Sequence, residues 1–141
     1  MRAIICAGGT GGHIYPALAI LNKIKEMEPD SEFLYIGTTD RMEATIIPEK
    51  KIPFVGIEMK GLDRKHILKN IKVLGCFQKA IQKAKEEIRK FDPDVVLGIG
   101  GYITAPVIYA AAKLGYKTFI HEQNSIPGVS NRFLSPYATK I

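Results

Sequence analysis

The 141-residue chain contains no tryptophan, two cysteines and three histidines. No apolar run approaches the ~18 residues that a bilayer-spanning helix needs. Each scarcity narrows the function. The apolar start, Met1 to Cys6, gives way at once to polar, glycine-rich sequence and reads as a strand rather than a signal peptide. Cys6 and Cys76 show neither disulfide nor metal spacing and read as reduced, buried, cytosolic thiols. His13, His66 and His121 do not form a metal-ligand spacing, so no tightly bound metal is expected. Aromatic residues make up only 9%, and no RNA- or DNA-binding motif is present. Nucleic acid is therefore set aside as a partner, although the net charge is +6. There is no internal repeat, low-complexity segment or linker.

What remains is the balance of a globular protein, 46% hydrophobic and 24% charged, at a length that suits one domain over residues 1–141. The excess of positive charge favours phosphorylated ligands or an acidic membrane face. Short apolar runs alternate with longer helical patterns. Strands are expected at Ala3 to Ala7, Glu32 to Ile36, Pro53 to Ile57, Asp94 to Leu97 and Lys117 to His121. Helices are expected from Ile14 to Met27, from an N-cap at Asp40 to Ile47, from His66 to Lys90, from Ala105 to Leu114, and from Pro127 to Leu134. In the longest, Ile67, Ile71, Leu74, Phe77, Ile81, Ala84 and Ile88 recur at helical spacing, with Gly75 able to weaken or split it. Lys140-Ile141 reads as the start of a sixth strand, which suggests a boundary inside a longer protein. The βαβα order and the non-alternating apolar strands predict an α/β, Rossmann-like, doubly wound parallel sheet.

In such a sheet, ligands bind beyond the carboxyl ends of the strands, and three polar clusters fall there. Gly8-Gly9-Thr10-Gly11-Gly12-His13 has more glycine than a turn needs. Its backbone can approach a ligand, and the following helix offers free N–H groups to an anion. His13, at the helix start where the dipole disfavours its protonated form, is either a working imidazole or a capping residue. Gly98-Ile99-Gly100-Gly101-Tyr102 repeats the geometry after the fourth strand, and Tyr102 either stacks on a sugar or packs on the surface. His121-Glu122-Gln123-Asn124 follows the fifth strand, with Asn131 further on. This block is either a solvated loop or part of the site, where a carboxylate could take a proton from a hydroxyl. Asp92-Pro93-Asp94 resembles a metal-binding D-x-D triplet but precedes its strand, at the wrong edge of the sheet. Arg64 to Lys90 interleaves lysines with apolar residues. It suits an anionic lipid surface or a solvated crossover helix, and both can hold for different halves.

Three blocks together carry a resemblance. They are Gly8-Gly9-Thr10-Gly11-Gly12-His13-Ile14-Tyr15-Pro16-Ala17-Leu18-Ala19, then Pro93 through Tyr102, then His121-Glu122-Gln123-Asn124 with Pro127-Gly128 and Asn131. In order and spacing they resemble the N-terminal domain of the MurG family of glycosyltransferases, over essentially the whole chain. The resemblance implies the N-terminal, acceptor-binding half of a two-domain GT-B enzyme that works at the cytoplasmic face of the bacterial membrane as a peripheral protein. It implies an inverting transfer of N-acetylglucosamine from UDP-N-acetylglucosamine to the 4-hydroxyl of lipid I, in peptidoglycan synthesis, with no cofactor or metal. It gives His13 and Glu122 catalytic roles, either being the proton acceptor. It gives Thr10, Gly11, Gly12 and Asn124 donor contacts, and Gly100, Gly101, Tyr102 and Asn131 acceptor contacts. It favours a membrane patch at Lys69, Ile71, Lys72, Leu74, Phe77 and Lys79. Because the family's C-terminal domain is absent, the 141 residues alone are expected to be inactive. Competing readings are another lipid-acting GT-B transferase and a non-catalytic subunit that presents acceptor at the membrane. A nicotinamide-dependent dehydrogenase is disfavoured because the second strand ends without an acidic residue before Asp40.

Overall fold

The first apolar run becomes β1 (Arg2–Ala7), and its alternate side chains enter two different cores. Ile4 and Cys6 face one side of the sheet; Ala3, Ile5 and Ala7 face the other. All five are fully buried, which is why the run is apolar without alternation. A computed structural model describes residues 1–59 and 67–141, the side chains of residues 67–71 excepted.

After β1 come α1 (Gly11–Met27), β2 (Glu32–Thr38), α2 (Glu43–Glu49) and β3 (Phe54–Ile57). The second half is α3 (Ile67–Phe91), β4 (Val95–Gly100), α4 (Thr104–Lys113), β5 (Lys117–Ile120) and α5 (Val129–Leu134). The five strands pair in parallel in the order β3-β2-β1-β4-β5. The α/β, doubly wound expectation therefore holds. Chain order reverses between β1 and β4, where a ligand crevice opens in such sheets. The register between these two strands shifts there: Cys6 pairs with Gly98, but Ala7 pairs with Gly100.

On one face, Ile14, Ala17, Leu18 and Leu21 of α1 and Ile47 of α2 close over the sheet. On the other, Ala80, Ala84 and Ile88 of α3 and Val107, Ile108, Ala110 and Ala111 of α4 do so. Each fully buried isoleucine contributes about 1.5–3 kcal/mol relative to exposure.

Several boundaries differ from expectation. β2 and β4 run on through Gly37 and Gly98 to Thr38 and Gly100, because glycine at the strand tips still makes ladder bonds. α1 begins at Gly11, so Gly11, Gly12 and His13 form its first turn rather than a loop before it. Asp40 is not the cap of α2; Met42 is, with helical φ −52° and ψ −37°. Gly75 does not split α3, which is continuous. The buried stripe of α3 runs through Val73, Ala80, Ala84 and Ile88, whereas Leu74, one residue and 100° further round, is 62% exposed. Cys6 is buried, but Cys76 is only half-buried, its Sγ donating to the Glu58 carbonyl. The expected sixth strand is represented, among the described residues, by a single bridge between Lys140 and Phe119.

The Asp92-Pro93-Asp94 triplet sits at the amino ends of the strands. Asp94 Oδ2 accepts from the Arg2 N–H at 2.7 Å, and Asp92 Oδ1 accepts from the Tyr116 hydroxyl at 2.9 Å. Both carboxylates serve strand starts, opposite the crevice.

Candidate functional site

Three adjacent strands, β1, β4 and β5, release their chains at the same edge of the sheet. The three following segments converge on one cleft of about 280 Å³. It is lined by His13 from the first, Gly100, Gly101 and Tyr102 from the second, and Glu122, Asn124 and Asn131 from the third. Gly128, Val129 and Ser130 complete the wall. The sequence pointed to seven of these ten. Thr10, Gly11 and Gly12 adjoin the cleft at the start of α1 without lining it.

The glycines are there because the loops touch. Gly8 N–H donates to the Gly100 carbonyl at 3.2 Å, which joins the first loop to the second. Gly100 has φ +128°, and a Cβ there would come within 2.9 Å of the His13 Nε2. The His13 ring thus lies directly on the Gly100 backbone, a contact that only glycine allows. The third loop is tied to the first by Gln123, whose Nε2 donates to the Gly12 carbonyl at 2.9 Å.

Within α1, His13 N–H and Ile14 N–H both donate to the Thr10 carbonyl. Thr10 has extended backbone at the N-cap position, but its side chain makes no capping bond. The N–H groups of Gly11 and Gly12 precede the first possible helical acceptor and are free for an anion. His13 Nδ1 lies 3.2 Å from the Gly8 carbonyl and 3.3 Å from Thr10 Oγ1.

Glu122 is the organiser of the third loop. Its Oε1 accepts from Asn124 N–H at 3.0 Å and Asn124 Nδ2 at 2.8 Å. Its Oε2 accepts from Gly128 N–H and Asn131 Nδ2, each at 2.9 Å. The backbone bonds from Gly128 and Asn124 do most to favour the ionised form, lowering its pKa from the usual 4.5 to about 2. Asn131 is 7% exposed; its Oδ1 has no partner among the described residues, although its Nδ2 is used.

Two site-supporting residues were not legible. Glu43 is fully buried under the first glycine loop, with Oε2 accepting from Gly9 N–H and Oε1 from Thr38 N–H and Thr38 Oγ1. It follows the tip of β2, and no spacing rule singles it out. It also bears on the dehydrogenase reading: Thr38 ends β2, and the nearby carboxylate is enclosed and spent on protein donors. Arg41, exposed on the same turn, faces Tyr102 across to the second loop. A hydrogen bond with Tyr102 is the main reason its pKa is raised.

The expected membrane patch divides. Lys72, Leu74 and Lys79 are exposed on α3, and Phe77 is half-buried, its ring edge-on to Phe133 of α5 at 6.4 Å. The side chains of Lys69 and Ile71 lie outside the described residues, as do Arg64 and Lys65. Phe133 is itself exposed, as are Val129 on the same helix and Ile126 in the segment before it. No helix among the described residues is long and apolar enough to cross a membrane, and no cluster of three candidate metal ligands occurs among them.

Comparison with known proteins bears on the family and the fold. Residues 3–141 match the model of the glycosyltransferase family 28 N-terminal domain. The chain is 53% identical, over all 141 residues, to UDP-N-acetylglucosamine--N-acetylmuramyl-(pentapeptide) pyrophosphoryl-undecaprenol N-acetylglucosamine transferase 2 of Bacillus thuringiensis (strain Al Hakam). It is 50% identical over the same span to the corresponding transferase of Bacillus pumilus. In both cases it spans 39% of the relative's length. Among solved structures, MurG of Acinetobacter baumannii superposes with a TM-score of 0.84 at 29% identity, covering 98% of this chain and 40% of that one. A UDP-GlcNAc 2-epimerase from Methanocaldococcus jannaschii superposes with a TM-score of 0.66 at 14% identity, a likeness of fold alone.

Proposed function

The chain belongs to the glycosyltransferase family 28 N-terminal domains, and from that premise we propose that it is the acceptor-binding half of a GT-B enzyme making lipid II. The enzyme would move N-acetylglucosamine from UDP-N-acetylglucosamine to the 4-hydroxyl of lipid I, at the cytoplasmic face of the bacterial membrane. A C-terminal domain would supply the rest of the donor site. The supporting observation is the single cleft into which His13, Gly100, Gly101, Tyr102, Glu122, Asn124 and Asn131 all project. Its volume, about 280 Å³, is at the low end for a small-molecule site, as suits one wall of a larger cleft.

The roles follow from the chemistry of the groups. His13 is the proton acceptor. A hydroxyl that attacks a sugar must lose its proton as the new bond forms, and a neutral imidazole is suited to take it near pH 7. Glu122 is a poor second candidate: both oxygens are filled by four donors, and its pKa of about 2 makes it a weak base. It holds Asn124 towards the donor sugar nucleotide and Asn131 towards the acceptor. Thr10 and the free N–H groups of Gly11 and Gly12 meet the donor. Charge on the departing diphosphate falls near the positive end of the 17-residue α1. Gly100, Gly101 and Tyr102 meet the acceptor, with Arg41 adding fixed positive charge beside Tyr102 for its pyrophosphate.

An NMR titration tests the acceptor assignment. A soluble lipid I analogue is expected to shift Gly100, Gly101, Tyr102 and Glu122, whereas UDP-N-acetylglucosamine alone acts weakly and NAD not at all. A response to NAD centred on Gly8 to Gly12, without one to the acceptor, overturns the reading.

A further inference from the structure

Two side chains on opposite sides of the first glycine loop hold the same peptide group. The Gly8–Gly9 peptide presents its N–H, on Gly9, to Glu43 Oε2 at 3.1 Å. It presents its carbonyl, on Gly8, to His13 Nδ1 at 3.2 Å. A trans peptide is planar, with N–H and C=O directed oppositely. Once Glu43 fixes one end, the direction of the other is set.

Glu43 is placed to do this firmly. Two of its three donors are backbone N–H groups, which can only donate, so the side chain serves as a carboxylate acceptor. The third, the Thr38 hydroxyl, bonds Oε1 at 2.7 Å. A buried, hydrogen-bonded carboxylate acts at low effective dielectric. The space is closed around it, because a Cβ on Gly8 would collide with the Glu43 carboxylate.

The consequence falls on the imidazole. A neutral histidine carries its proton on one nitrogen only. Thr10 Oγ1, 3.3 Å from Nδ1, can donate or accept and so fits either tautomer. The Gly8 carbonyl can only accept, and fits Nδ1–H alone. A carboxylate drawing on the Gly9 N–H polarises the peptide and strengthens its carbonyl as an acceptor.

We propose that Glu43 is the positioning residue for His13: through the Gly8–Gly9 peptide it fixes the Nδ1–H tautomer and leaves the Nε2 lone pair for the cleft. The chemical meaning of that free Nε2 rests on His13 being the proton acceptor; the tautomer itself does not. Among the described residues, the other charged or titratable groups near the ring are Glu122 and Tyr102, which share the cleft, and Arg41, which faces Tyr102. None of them bonds Nδ1, whose partners are the Gly8 carbonyl and Thr10 Oγ1, so the relay through Gly8 is separable from them.

Histidine side-chain NMR with 15N-labelled imidazoles, on this chain and three variants, tests the proposal. His13→Gln assigns the His13 signals by their loss. In the wild type, neutral His13 is expected as Nδ1–H with an unprotonated Nε2. Glu43→Gln keeps the shape but removes the charge, and should shift the tautomer ratio towards Nε2–H. Glu43→Asp keeps the charge but withdraws it from Gly9, and should do the same, so either variant serves if the other fails to fold. A wild-type Nε2–H tautomer overturns the proposal, as does an unchanged ratio in a folded variant. If the tautomer behaves as expected while His13→Gln retains full transfer rate in the two-domain enzyme, the positioning stands and the assignment of His13 as base fails.

Discussion

Asn131 and Glu122 are joined by one hydrogen bond, Asn131 Nδ2 to Glu122 Oε2 at 2.9 Å, which ties α5 to the loop leaving β5. The same oxygen receives Gly128 N–H, at the residue preceding α5. One carboxylate therefore sets both the start of a helix and the placement of two amide side chains in the cleft. A residue read as a catalytic carboxylate has the surroundings of a brace.

The pH dependence of that brace has a definite sign. The folded-state pKa of Glu122 is lowered from 4.5 to about 2. Its contribution to stability is therefore complete above about pH 4.5 and is lost as the pH falls through about 2. Amide exchange at Asn124 and Gly128, followed from pH 5 to pH 2, should accelerate over this window beyond the intrinsic trend. In Glu122→Gln the extra acceleration should vanish. Wild-type and variant amides that respond identically would remove the brace.

The division of labour between His13 and Glu122 predicts different pH–rate profiles in the two-domain enzyme. His13→Gln should lower kcat by about 10²–10⁴-fold and abolish the acid limb of kcat. Glu122→Gln should lower kcat/KM through a loosened loop while leaving that limb where it was. A limb that disappears with Glu122 and persists without His13 would reverse the assignment.

The sequence exposed these features unevenly, for physical reasons. Strand and helix periodicity is a local signal, so the five strands, their order of appearance and the three carboxyl-end blocks were readable. Glycine-rich tips were readable as loops but not as loop contacts: that Gly100 carries the His13 ring depends on a pairing 87 positions apart. Glu43 was not legible because it looks like an ordinary first-turn acid, and only folding encloses it beneath Gly8 and Gly37. Which apolar row of α3 is buried was not readable, because Ile71, Leu74 and Phe77 keep helical spacing as well as the buried stripe through Val73 does. Spacing alone cannot choose between two apolar rows one residue apart.

Two glycine substitutions should have opposite signs. Gly100→Ala forces a Cβ onto the His13 ring at φ +128°. It should destabilise the chain by about 1–3 kcal/mol. Gly75→Ala lies inside α3, where the added methyl meets nothing within 4 Å among the described residues. It should stabilise the chain by about 0.5–1 kcal/mol through helix propensity. Denaturant unfolding measures both. A neutral Gly100→Ala would mean that the loops are not in contact as described.

The apolar and basic surface beside the cleft leads to the last prediction. Leu74 of α3, at 62% exposed, and Ile126, Val129 and Phe133, at 79%, 55% and 46%, lie on two segments that meet at the Phe77–Phe133 contact. Lys72 and Lys79 are exposed on the same helix as Leu74. A lipid surface would recognise both features, anionic headgroups meeting the lysines and the acyl boundary meeting the apolar side chains. Binding to vesicles rich in anionic lipid should exceed binding to neutral vesicles and weaken with salt. Each cation near such a surface is worth ~1 kcal/mol, so Lys72→Ala with Lys79→Ala should weaken binding roughly 25-fold. Leu74→Asp should weaken it on neutral vesicles as well, because it removes apolar contact rather than only charge. If the lysine pair matters equally on both lipids, simple headgroup attraction is not the mechanism. If none of the three substitutions changes binding, this face is only the solvated side of a crossover helix, and the acceptor must reach the cleft without help from it.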